Sequence, residues 1–159
     1  MSSEPRGLKF WIIAWFPIAV GIAVIAMEST EYLGADRTSG PLRWIFQVFF
    51  GPVSNARWEI LHHFIRKSGH FLGYGLIGLA WLRAWRMTCP GLRFMANAAL
   101  ALMGTALLAS WDEWHQSFLP NRTSSVWDVL LDCSGALAML GIAYISTRII
   151  RPGLPIHAN

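Results

Sequence analysis

Two stretches of this chain, Phe10 to Met27 and Phe94 to Trp111, each run for 18 residues without a charged side chain. That is close to the ~20 apolar residues a helix needs to cross the hydrocarbon of a bilayer. Two shorter uncharged runs, Ser68 to Leu82 and Cys133 to Thr147, have 15 residues each. Helical phase extends them outward through Leu61, Phe64 and Ile65 in one case and through Val129 to Leu131 in the other. The chain is therefore expected to be all-α: a polytopic membrane protein, a four-transmembrane-helix bundle with spans at about 10–27, 58–85, 93–114 and 127–150. Composition agrees. Of 159 residues 54% are hydrophobic and 14% charged, against about 25% charged in soluble domains, which argues against a water-soluble enzyme core. The first run with Arg6 and Lys9 before it has the outline of a signal peptide, but it is longer than a usual signal core and no clear small-x-small cleavage site precedes Glu28. With no repeat and no long linker, residues 1–159 read as a single membrane domain.

Four crossings put both termini and the loop Arg83 to Arg93 on one side. That side carries Arg6, Lys9, Arg83, Arg86, Arg93, Arg148 and Arg151; the other carries Arg37, Arg43, Arg57, Arg66, Lys67 and Arg122, spread through a longer segment. Basic density favours the termini inside. The acidic residues separate in the opposite sense, only Glu4 lying inward. Trp11, Trp15, Trp81 and Trp85 near inner ends and Trp111, Trp114 and Trp127 near outer ends suit interface anchors. The basic balance thus speaks for topology and against a nucleic-acid partner. Cys89 and Cys133 fall on opposite sides, which rules out a disulfide between them.

The first outer loop contains a segment at about 41–52 in which Ile45, Phe46, Phe49 and Phe50 group on one helical face and Arg43 and Gln47 on another. This fits a short interfacial helix in the headgroup layer, and equally a segment packed on the bundle top. Either would cover a site beneath it.

The polar residues concentrate at one depth. The second long helix has Ser54 or Asn55 as its cap, and along it His63, Lys67, His70 and Tyr74 follow the spacing i, i+4, i+7, i+11 on one face. A lysine and a histidine on a bundle-facing stripe cost desolvation energy unless they are paired, so acidic or anionic partners are expected. Asp112, Glu113, Gln116 and Arg122 at and beyond the far end of the third span, and Asp128 and Asp132 opening the fourth, lie at the same outer level.

The series Lys67-Ser-Gly-His70-Phe71-Leu-Gly-Tyr74, then Asp112-Glu113-x-x-Gln116-x-Phe118-x-Pro120-x-Arg122, then Asp128 and Gly135, resembles the VanZ-like family of bacterial membrane proteins. The resemblance runs from about Lys67 to Gly135, with Asp132 where the family usually has Asn and Met139 where a second glycine is common. It implies a multi-pass protein of the bacterial cytoplasmic membrane, similar to the protein that gives modest teicoplanin resistance.

Lys67 and Arg122 against Asp112, Glu113, Asp128 and Asp132 leave two negative charges in excess with His70 neutral. That excess argues against a bare phosphate pocket and for a proton, a cationic ligand group or a divalent metal held by Asp112, Glu113, Asp128 and Asp132. No cofactor is fixed by the pattern. Three readings stand. In the first, the cluster is a network of salt bridges and hydrogen bonds that ties helices together. In the second, Lys67, His70, Tyr74, Asp112, Glu113, Gln116, Arg122, Asp128 and Asp132 bind the polar head of a membrane lipid, a lipid-linked wall precursor or an amphiphilic antibiotic, with apolar walls for its tail. In the third, an outer-leaflet hydrolase or transferase holds a lipid phosphate or ester through a metal or through Lys67 and Arg122, with Glu113 or His70 as its catalytic base. A homodimer is compatible with all three. His62 and His115 are expected at the interface or in solvent. Gly69, Gly73 and Gly75 are expected to allow close helix contact. Asn97 and Thr105 read as bridges between helices.

Overall fold

The computed structural model describes residues 6–30, 35–119 and 124–150. Among them are five α-helices: α1 (Leu8–Glu28), α2 (Ala35–Phe50), α3 (Asn55–Thr88), α4 (Phe94–Gln116) and α5 (Val126–Ile150). Three of these, α1, α4 and α5, are long and apolar enough to cross a membrane. The remaining long helix, α3, has 34 residues and so extends about 51 Å, beyond the ~30 Å hydrocarbon thickness. Its charges, Arg57, Glu59, Arg66, Lys67, Arg83 and Arg86, flank the uncharged middle. It is also the central element, packing against all four other helices and most extensively against α5.

The long helices alternate in direction. Arg6 Nη1 at the start of α1 donates to the carbonyls of Met87 and Thr88 at the end of α3, at 3.1 and 2.8 Å. Arg83 Nη1 donates to the Ile13 carbonyl at 2.7 Å. At the other end of the bundle the hydroxyl of Ser29, the residue after α1, donates to Asp112 near the end of α4.

Small residues set how closely the helices approach, as expected where packing rather than water exclusion holds them together. On α3, a Cβ at Gly75 would lie 2.8 Å from Met139 Cγ and 3.1 Å from the Gly135 carbonyl oxygen, and one at Gly78 would lie 3.0 Å from Ala136 Cβ. On α5, a Cβ at Gly135 would run into the Phe71 carbonyl. Met139 thus fills the space that Gly75 leaves open. Asn97 and Thr105 do not bridge helices. Asn97 Nδ2 donates to the Leu92 carbonyl just before its own helix at 3.2 Å, and Thr105 Oγ1 donates to the Ala101 carbonyl within α4 at 2.9 Å.

Polarity is distributed inside-out relative to a protein folded in water. Asp112, Glu113, Gln116 and Asp132 are buried, while Phe16, Met103, Leu107, Leu137 and Ile142 are exposed. Water-soluble chains rarely expose apolar residues so continuously, so the solvent of this surface is lipid. Trp111, Trp114 and Trp127 are exposed, as anchors would be. Trp15, Trp81 and Trp85 instead pack on one another with centroids 5.2 to 6.4 Å apart.

The helix in the first loop begins earlier than the expected 41–52, with Pro41 inside it. It ends before Gly51, whose φ of 81° suits a residue without Cβ. The expected common face of Ile45, Phe46, Phe49 and Phe50 is divided. Trp44, Ile45, Val48, Phe49 and Phe50 are exposed, whereas Phe46 turns inward, 5.9 Å from the Trp58 ring. Trp58 Nε1 donates to Ser39 Oγ at 2.7 Å, and Arg43 Nη2 donates to the Val53 carbonyl at 2.8 Å. His62, expected at the interface or in solvent, is buried under α2. It stacks on Trp58 at 5.6 Å and stands 3.4 Å from Thr38 Oγ1. Helical phase puts it off the Lys67 stripe, but the covering helix comes from elsewhere in the chain.

Candidate functional site

The site lies where α1 ends, α4 ends and α5 begins, on the half of α3 that starts from its cap. Ser54 Oγ accepts from the Arg57 backbone N–H at 3.4 Å and caps the start of α3, along which Lys67, His70 and Tyr74 share one face. His63, one turn before Lys67, is exposed.

The acidic partners expected for Lys67 and His70 both come from α5. Lys67 Nζ is ion-paired with Asp128, and His70 Nδ1 stands 3.4 Å from Asp132 Oδ1. Asp132 has no exposed surface, and neither of its oxygens has a partner with hydrogen-bond geometry. The His70 imidazole is the basic group that stands within ion-pair range of it. Asp112 is the centre of a separate set. One oxygen accepts from Ser29; the other accepts from Tyr74 OH at 3.1 Å and from Gln116 Nε2 at 3.0 Å. Gln116 Nε2 also lies 3.3 Å from Ser29 Oγ. Glu113 Oε2 accepts from the Ser125 backbone N–H at 2.8 Å, immediately before α5, where a helix N-terminus leaves N–H groups without intrahelical partners.

Each of the four carboxylates therefore has its own neighbour. Among the described residues no group of three or more His, Cys, Asp or Glu side chains is arranged to hold a metal ion. The divalent-metal set of Asp112, Glu113, Asp128 and Asp132 does not converge in this arrangement. Arg122 lies outside the described residues. Ser29 and Ser125 escaped the sequence reading because a serine next to a span or a loop carries no distinguishing pattern; position beside Glu28, at the depth of the cluster, was the one available signal.

Beside the cluster a groove of about 610 Å³ opens between α1 and α3. Val20, Val24 and Leu76 give it apolar walls, and Glu28, Thr38, Arg66 and His70 stand at one end. Tyr74 and His70 belong both to the groove and to the carboxylate cluster. Gly69 and Gly73, expected at a helix contact, line this groove instead, and a Cβ on either would meet nothing within 4 Å.

The pattern from Lys67 to Gly135 now has a common spatial setting at the junction of α3, α4 and α5, and a family model, VanZ/LLP1, matches residues 10–148. The chain belongs to the VanZ/LLP1 family. The match covers all of α4, nearly all of α1 and α5 and the whole of α2 and α3, so in this VanZ/LLP1 protein the groove and the cluster both fall within the family region. No curated protein and no solved structure matches the chain.

Proposed function

We propose that this VanZ/LLP1 protein binds the polar head of a membrane amphiphile at the α3–α4–α5 cluster and serves envelope integrity or antibiotic resistance. The amphiphile is a lipid, a lipid-linked wall precursor or a glycopeptide-type compound. The observation that carries the reading is that His70 and Tyr74 join a buried polar network to an apolar-walled groove, the two chemistries an amphiphile needs within one ligand length. In this reading α1, α3, α4 and α5 cross the bacterial cytoplasmic membrane with both termini in the cytoplasm, and α2 lies in the outer headgroup layer with Trp44, Val48 and Phe49 toward lipid.

Glu113→Gln and Arg122→Lys, compared with wild type in cells challenged with an envelope-directed antibiotic, are expected to lose protection while the protein stays folded and abundant. Loss of folded protein in step with protection would leave the cluster a structural brace and sink the reading. A second reading, hydrolysis of a lipid phosphate or ester at the outer leaflet, is favoured by one observation. His70 Nδ1 stands 3.4 Å from Asp132 Oδ1, leaving Nε2 on the opposite edge of a ring that lines the groove. Product release that continues past one equivalent and stops in His70→Gln would select it; saturation without product selects binding.

A further inference from the structure

Two kinds of glycine occur on α3. Gly75 and Gly78 lack a Cβ because α5 occupies the space. Gly69 and Gly73 are one turn apart, exposed, and have open space where a Cβ would stand. Each costs about 1 kcal/mol relative to Ala in a helix, and neither contributes to helix packing. What they do contribute is the floor of the α1–α3 groove. Along α1 the groove extends from Pro17 to Glu28, about 16 Å at 1.5 Å per residue. It is apolar except at the end where Glu28 and Arg66 stand, and its walls at Val20, Val24 and Leu76 are partly exposed to the surrounding solvent. That solvent is lipid, so the groove opens sideways into a bilayer. Its polar end carries both signs of charge.

We propose that this groove seats one acyl chain of a zwitterionic phospholipid over Gly69 and Gly73, with the phosphate toward Arg66 and the ammonium toward Glu28. The proposal rests on the headgroup reading above, with which it shares His70 at the same end of the groove, and deepens it by naming the ligand class. The second acyl chain stays in the bilayer outside the lateral opening, so a two-chain lipid needs no larger cavity. The groove selects by charge at one end and by length along the floor.

Native mass spectrometry of the full chain in detergent, titrated with dioleoyl-phosphatidylethanolamine or dioleoyl-phosphatidylglycerol, tests this. Wild type is expected to retain the ethanolamine lipid saturably and about tenfold more tightly than the glycerol lipid. Gly73→Leu, which enters open space, is expected to weaken that binding about tenfold with helical content unchanged. Should it fail to fold, Val24→Trp on the facing wall makes the same obstruction from an exposed position. Equal or tighter binding of the anionic lipid overturns the zwitterion assignment, and full binding by a folded groove-filling variant overturns the chain seat. If His70→Gln loses the lipid while Gly73→Leu keeps it, the headgroup reading stands and the groove proposal falls. Failure of both lipids and of a lipid-linked precursor to saturate wild type removes both.

Discussion

Asp112 shows how much one buried side chain organises. It accepts from Ser29 beyond α1, Tyr74 of α3 and Gln116 of its own helix, so replacing it leaves donors from three segments facing an apolar interior. Asp112→Ala is expected to destabilise the folded protein by about 3 kcal/mol, and Tyr74→Phe, which removes one donor of that set, by about 1 kcal/mol. Equilibrium unfolding in mixed micelles checks both, and equal small effects would show that the set is not cooperative. These residues differ in how legible they were. The need of Lys67 and His70 for acidic partners follows from desolvation alone and could be read from sequence. Which carboxylate serves which base could not, because helical phase fixes the face of each helix and leaves the relative register of two helices open.

At the scale of helices, glycine is the informative residue, and its meaning depends on what faces it. Gly135→Ala is expected to abolish accumulation of folded protein, since the added Cβ meets the backbone carbonyl of Phe71, which has no rotamer to change. Gly141→Ala on the same helix, where a Cβ meets nothing within 4 Å, is expected to be neutral or to stabilise by up to about 1 kcal/mol. Detergent-resistant yield and thermal midpoints measured side by side check the pair. The same ambiguity explains the misreading of Gly69 and Gly73. An absent side chain looks alike in sequence whether a helix or empty space lies opposite. The uncharged runs, by contrast, could be read because lipid imposes one requirement on many consecutive residues, and Phe10 to Met27 and Phe94 to Trp111 lie inside α1 and α4. The loop helix α2 was legible as an amphipathic segment, but its inward face needed Trp58 and His62 to define it.

For the molecule as a whole, the alternating direction of α1, α3, α4 and α5 puts the first and last helical ends together, and basic density favours that end inside. A reporter fused after Asn159 is expected to read cytoplasmic, and a maleimide that cannot cross membranes is expected to leave Cys89 unlabelled in intact cells. A periplasmic reporter would invert the orientation and carry the carboxylate cluster to the inner leaflet. Overall charge carries no information about orientation; the expectation rests on the position of Lys and Arg relative to the apolar runs.

The pairing of Lys67 with Asp128 joins residues 61 positions apart, and α3 is the helix on which all the others pack. With α3 across the bilayer, its lysine is synthesised several seconds before its counter-charge at about 5–20 residues per second. A lone lysine at the centre of a membrane helix costs about 2.5–3.5 kcal/mol on insertion scales, less near an interface. During that interval α3 has reason to ride shallow, with its charged half drawn toward the headgroups. The helix at the middle of the finished bundle is therefore among the last to be secured, and a ribosome halted before Asp128 would leave a chain whose centre has not yet taken its depth.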